Sequence, residues 1–334
     1  MIKEGVLSER LDNKVRCYVC AHRCVIGENK VGLCGTRKNI NGKIHTLIYN
    51  TVSSEAVDPI EKKPLYHFLP GTLSYSLGTI GCNFRCEHCQ NWSISQVILE
   101  QAYTMEITPQ QAIERAIASG SKSIAWTYNE PAIWHEYTYD SAVMAKEAGL
   151  KTVYVTNGYI TPEALKRIAP YLDAFRVDIK SFSENFYKKV CGAKLAPVLE
   201  ATRLARKLGM HIETITLIIP TKNDSPEEIR RIVKWVHDNL GENTPMHFTR
   251  FHPMYKMNDL YPTPLDTLEM AYDIAKNEGM RFVYLGNVIG HRYENTYCPE
   301  CNALLIDRRG FRVVIIDMKD GRCLKCGEKI PMIL

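Results

Sequence analysis

The 334-residue chain has no apolar run near the roughly 20 residues that a membrane-spanning helix needs, and its Met1-Ile2-Lys3-Glu4 start lacks the apolar core of a secretory signal. A cytoplasmic protein with no membrane partner is expected. No internal repeat or low-complexity tract is visible, and no aromatic-rich basic stripe marks a nucleic-acid surface. The net charge of +5 is mild for this length. A solvated surface explains it as well as an acidic electron donor or a phosphorylated substrate does. With 45% hydrophobic and 24% charged residues, the chain can bury one substantial core with a smaller module or two beside it.

Cysteine is where the sequence is rich. Of twelve cysteines, eleven fall into three compact groups and Cys191 stands alone, which in a cytosolic chain favours metal sites over disulfides. Residues 1–71 form a lead-in with Cys17-x2-Cys20-x3-Cys24-x9-Cys34, read as a small metal-stapled module. Residues 291–334 hold Cys298-x2-Cys301 and Cys323-x2-Cys326, two knuckles separated by a hairpin-like stretch. Four thiolates so placed fill a tetrahedral shell, and a zinc-ribbon-like module with structural Zn2+ is expected there. The N-terminal four leave Zn2+ and an iron–sulfur cluster both open. Cys191, before a helix, reads as a small buried residue.

Between these modules, over residues 72–290, short β-branched runs alternate with segments of helical period, the pattern of βα units around a parallel sheet. Seven strands are predicted: Leu73 to Ile80, Ser123 to Thr127, Thr152 to Thr156, Ala174 to Ile179, Ile212 to Ile219, His247 to Phe251 and Phe282 to Leu285. Helices fit at Pro109 to Ala118, Ala132 to Ala148, Pro162 to Pro170, Ala196 to Leu208, Pro226 to Leu240 and Leu265 to Asn277. Thr108-Pro109, Thr161-Pro162 and Ser225-Pro226 supply a hydroxyl N-cap and Pro at N1, and Gly149, Gly209 and Gly279 sit where helices should stop. The α/β class follows, and a partial (β/α) barrel fits better than a flat doubly wound sheet.

Directly after the first of these strands comes Gly81-Cys82-Asn83-Phe84-Arg85-Cys86-Glu87-His88-Cys89. Barrel enzymes keep their chemistry in such βα loops. Three thiolates at x3 and x2 spacing can hold three irons of a [4Fe-4S] cube and leave the fourth open. A zinc site completed by His88 is the alternative for the same residues.

In this position Cys82, Cys86 and Cys89 resemble the signature of the radical SAM superfamily, which implies a partial barrel, a [4Fe-4S] cluster and S-adenosylmethionine chelated to the open iron. The other strand ends match in series. Thr127-Tyr128-Asn129-Glu130-Pro131 resembles the motif that binds the methionine amino group, with Glu130 in that role; Tyr128 and Asn129 replace its glycines. Thr156-Asn157-Gly158 stands where a polar residue contacts the ribose, and an Asn-Gly turn is the plainer reading. Asp178-Ile179-Lys180 resembles the Asp-x-Lys of pyruvate formate-lyase activating enzymes, which implies catalytic roles for Lys180 and Asp178 beside the cosubstrate. Asn83 and His88 of the cysteine loop, and His252 in a Phe251-His252 segment followed by Lys256, would also meet the cosubstrate.

A narrower resemblance spans almost the whole chain. The cysteine head, Asp58-Pro59-Ile60-Glu61-Lys62-Lys63-Pro64-Leu65-Tyr66-His67, the Thr-Tyr-Asn-Glu-Pro motif and Glu294-Asn295-Thr296-Tyr297-Cys298 look like the AmmeMemoRadiSam-system radical SAM enzymes. It implies two partner proteins, besides a flavodoxin- or ferredoxin-type electron donor. The expectation is an activating-enzyme-like oxidoreductase that cleaves S-adenosylmethionine reductively and abstracts hydrogen from a protein glycine or a small metabolite. Two alternatives stand beside it: a radical SAM RNA-modifying enzyme, and a non-catalytic interaction protein in which all three cysteine groups hold zinc.

Overall fold

The computed structural model describes residues 1–334. Its centre is an open eight-stranded sheet: β1 (Ser54–Pro59), β2 (Leu73–Gly78), β3 (Ser123–Trp126), β4 (Lys151–Thr156), β5 (Ala174–Asp178), β6 (His211–Ile218), β7 (Met246–Arg250) and β8 (Val283–Gly286). They lie side by side in chain order, β2 to β8 parallel and β1 antiparallel on β2. The seven predicted strands are thus the seven parallel ones, shifted by a residue or two. The lead-in crosses the boundary expected at 71/72, because β1 pairs along its whole length with β2.

Six helices connect the strands: α1 (Pro109–Ala118), α2 (His135–Glu147), α3 (Pro162–Ile168), α4 (Leu195–Lys207), α5 (Pro226–Leu240) and α6 (Leu265–Asn277). Thr108, Thr161 and Ser225 each accept at the side-chain hydroxyl from the backbone N–H three residues on, at 3.2 Å, and Thr108 with Gln111 closes a capping box. In α5 the buried Ile229, Ile232, Val233, Val236 and Leu240 recur at helical period, so one apolar stripe faces the sheet. Pro131–Trp134 forms a 3-10 turn before α2, where one continuous helix is predicted.

Small cysteine-bearing modules flank the sheet, the N-terminal one against α2 and the loops after β2 and β4, the C-terminal one on β8. At the N-terminus, Ser8–Leu11, Lys14–Cys17 and Val25–Gly27 form one antiparallel sheet and Lys3–Glu4, Lys43–Thr46 and Arg37–Ile40 another. At the C-terminus, Thr296–Tyr297, Leu304–Arg309 and Arg312–Ile315 pack on β8 through a cluster containing Tyr66, Phe282, Tyr284, Cys298, Leu305 and Ile330. The strand-to-strand link Ile60 to Leu69 fills the lower barrel: Ile60, Leu65, Phe68 and Leu69 pack with Ala125, Val153 and Ala174. This closes one end of the barrel and leaves the ends of the parallel strands open to a cavity.

Candidate active site

The loop after β2 needs a glycine at its start. Gly81 has φ +84°, and a Cβ there would lie 2.7 Å from both Cys34 O and Thr36 Cγ2. The N-terminal module therefore sits directly behind the loop, where His22 Nε2 is 2.8 Å from Asn83 O and Arg85 donates to Leu33 O. On the other side, Arg85 N donates to Cys191 O at 2.8 Å and Glu87 N to Val190 O at 3.0 Å. The acceptors lie in the π-helical turn Tyr187–Cys191, a local distortion frequent at functional sites. With its backbone so occupied, the loop presents Cys82, Cys86 and Cys89 to a cavity of about 340 Å³.

The cavity joins most of the predicted site. Cys82, Cys86, His88, Cys89, Thr156, Asn157, Asp178 and Lys180 all line it. Burial pushes the thiols of Cys82 and Cys89 up, so neither ionises readily without a positive partner. Burial also pushes His88 down to about 3, helped by the charge of Lys180, and leaves it a neutral ring. Burial alone would lower Lys180, but Asp178, Cys86 and Cys191 hold it well above the ordinary lysine range. Lys180 Nζ donates to Asp178 at 3.0 Å. A charged ammonium thus stands beside the thiols that a metal would ionise.

Three expected contacts are placed elsewhere. Glu130 is fully buried behind the wall, where its carboxylate accepts from Ala132 N (2.9 Å), Thr156 Oγ1 (2.7 Å) and Asn157 N (2.8 Å). Burial pushes its carboxyl up to about 7 against the pull of those donors. Asn83 is buried with its side chain on Asn157 Nδ2 (2.8 Å) and Tyr159 O (3.3 Å), so it positions Asn157. His252 is exposed, outside the cavity wall. β7 ends at Arg250, and Thr249 with Asn287 supplies the wall on that side instead.

Sequence reasoning missed Arg176, Lys62 and Lys63, which also line the cavity. Arg176 was legible, since period-two alternation places it on the same face of β5 as Asp178 and Lys180. Lys62 and Lys63 gave no such signal: a lysine pair reads as surface, yet both bond the buried Asp58, at 2.7 and 2.5 Å. Cys191 is fully buried as expected, with its thiol against Cys86.

The cysteine groups differ in spacing. The thiols of Cys298, Cys301, Cys323 and Cys326 all lie within 4.8 Å of one another, as ligands of one tetrahedral ion must. Cys82, Cys86 and Cys89 instead line one cavity from a single loop, as three ligands of one cluster would. Cys17, Cys20, Cys24 and Cys34 line a separate, small pocket with Arg37 in its wall.

The family model described as the radical SAM superfamily matches residues 77–236. An uncharacterised protein of Methanocaldococcus jannaschii is 48% identical over 336 residues, covering 100% of both chains. Pyruvate formate-lyase-activating enzyme of Clostridium pasteurianum is 24% identical over 192 residues, 53% of this chain and 77% of that one. The chain belongs to the radical SAM superfamily. As a radical SAM enzyme it shares its fold with a solved radical SAM methyltransferase of Sphaerobacter thermophilus, at TM-score 0.51 and 12% identity over 85% of this chain and 76% of that one. The family's chemistry rests on a [4Fe-4S] cluster and S-adenosylmethionine, which removes the reading of a non-catalytic protein with three zinc sites. No helix is long and apolar enough to cross a membrane.

Proposed function

We propose that Cys82, Cys86 and Cys89 hold the [4Fe-4S] cluster and that the cavity beside them takes S-adenosylmethionine and a substrate from which hydrogen is abstracted. The observation that carries this reading is the convergence of Cys82, Cys86 and Cys89 with Thr156, Asn157, Asp178 and Lys180 on one cavity. When bound, the cluster and cosubstrate supply a reductively generated 5′-deoxyadenosyl radical. The chain's residues bind, orient and exclude water. Lys180 and Asp178 form the charged pair nearest the cysteine loop, His88 offers a neutral ring, and Glu130 fixes Thr156 and Asn157 from behind. A flavodoxin- or ferredoxin-type protein supplies the electron, and the two AmmeMemoRadiSam-system proteins are the first partners to assay. Cys298, Cys301, Cys323 and Cys326 hold a structural Zn2+. The N-terminal four hold Zn2+ or an iron–sulfur cluster, with buried Arg37 offsetting part of the thiolate charge.

The test is anaerobic reconstitution, reduction in the presence of S-adenosylmethionine, and assay for 5′-deoxyadenosine. Wild type is expected to form it, and the Cys82→Ala, Cys86→Ala, Cys89→Ala triple variant to form none. A triple variant that kept the activity would sink the assignment, as would a cluster-loaded wild type that never cleaves the cosubstrate.

A further inference from the structure

We infer that the substrate is a small metabolite bearing an oxyanion, a phosphate ester or a carboxylate, which docks between Lys63 and Arg176 in the depth of the cavity. The inference rests on the proposed reading of this cavity as the radical SAM site and adds what lies opposite the cysteines.

The charge inventory is unbalanced. Three largely buried cations, Lys63, Arg176 and Lys180, line the cavity beside the half-exposed Lys62, and two carboxylates serve all four. Asp58 accepts from Lys62 (2.7 Å), Lys63 (2.5 Å) and the Tyr128 hydroxyl (2.7 Å). Asp178 accepts from Arg176 (2.5 Å) and Lys180 (3.0 Å). Buried charges are normally matched, because an unmatched one costs several kcal/mol of hydration. A cavity with more cations than carboxylates in its wall is suited to receive negative charge.

Arg176 makes the point specific. It is 8% exposed, a single nitrogen is hydrogen-bonded, and its Nε is buried with no partner. A guanidinium offers five N–H donors in a planar fork suited to phosphate or carboxylate. Lys63, with a side chain 2% exposed, faces the same space from the link below the strands. Burial pushes its ammonium down to about 8, and Arg176 adds like-charge repulsion, while Asp58 pulls the other way. An anion placed between the two would relieve both the repulsion and the orphaned donor.

Position separates this subsite from the cosubstrate's. Arg176 and Lys180 take opposite oxygens of the Asp178 carboxylate, at 2.5 and 3.0 Å, and of the two Lys180 is the cation coupled to Cys86. Beyond Arg176 the barrel is shut by Leu65, Phe68 and Ala174. A cavity of about 340 Å³ closed at this end suits a small molecule. Its remainder would pass Val155, Ile215 and Leu217.

The test uses full-length, cluster-loaded protein under anaerobic conditions, with calorimetric titration of inorganic phosphate and of malonate at ionic strength fixed with chloride. S-adenosylmethionine is titrated separately. At least one anion is expected to bind wild type; phosphate as the tighter probe assigns a phosphate ester, and malonate a carboxylate. Arg176→Gln and Lys63→Gln should each weaken that anion by about tenfold or more and leave cosubstrate affinity within about twofold. Arg176→Lys, which keeps charge but loses the fork, should fall between. Lys63→Gln alone decides the matter if the Arg176 variants do not fold. The inference is overturned if neither anion binds better than chloride, or if cosubstrate affinity falls in step with the anion's. Failure of the radical SAM reading would look different, as anion binding with no 5′-deoxyadenosine from wild type.

Discussion

The carboxylate of Glu136 takes both terminal nitrogens of Arg37, at 2.6 and 2.8 Å, with each side chain 2% exposed. Arg37 belongs to the N-terminal module and Glu136 to the first turn of α2, so this buried ion pair fastens the cysteine-bearing module to the barrel. Removing one partner of such a pair strands the other, at a cost of about 3–5 kcal/mol. Glu136→Gln is accordingly expected to destabilise the protein by about that much, measured by denaturant unfolding. A loss below about 1 kcal/mol would mean that the pair contributes little to docking.

The same pair carries a pH signature. Burial pushes the Glu136 carboxyl up, but Arg37 overrides it and holds the group down at about 2, against an ordinary 4.5. A carboxylate depressed on folding stabilises fully above its unfolded pKa and progressively less as pH falls through the folded one. The stability advantage of wild type over Glu136→Gln should therefore be flat above pH 4.5 and shrink toward about pH 2. Taking the difference cancels acid losses common to both proteins. An advantage that grew on acidification would contradict the assignment.

Legibility in the sequence follows the range of the interaction. The cysteine loop, the seven parallel strands and the caps at Thr108, Thr161 and Ser225 are local patterns. β1 is not: Ser54-Glu55-Ala56-Val57-Asp58-Pro59 has no apolar alternation and becomes a strand only because β2 offers it an edge. Lys63 looks like surface until Asp58, on that same strand, draws it inward. His252 shows the converse, a family-like position that the end of β7 leaves in solvent.

Glu130, expected to meet the cosubstrate, bonds two residues that line the cavity, Thr156 and Asn157. Glu130→Gln keeps the shape but turns an amide N–H₂ toward one of three donors, losing a charge-assisted hydrogen bond of roughly 1.5–3 kcal/mol. Lower thermal stability, weaker S-adenosylmethionine binding and unchanged cluster iron are expected together. Weaker binding with unaltered stability would return Glu130 to direct contact, and no change in either would remove it from the site.

The tail also packs on the barrel. Leu69 N donates to Ile333 O at 2.7 Å and Ile333 N to His67 O at 2.9 Å, while Pro331 O lies 3.0 Å from His67 Nδ1. Residues beyond the last cysteine thus clamp the link that carries Lys63. Cys298 and Cys323 are buried in the cluster that holds Tyr66 and Tyr284, so a metal bound to the four thiols would fix the tail against β8. A module this small has too little apolar surface to keep that arrangement unaided. Cys298→Ser with Cys326→Ser should therefore remove about one zinc per chain, leave the iron at Cys82, Cys86 and Cys89 in place, and speed proteolysis of the link around Lys63. Elemental analysis and limited proteolysis check this together. Iron in place of zinc at the tail would make that site a redox centre, and a link that stayed protected without the metal would detach the tail from the cavity it is proposed to brace.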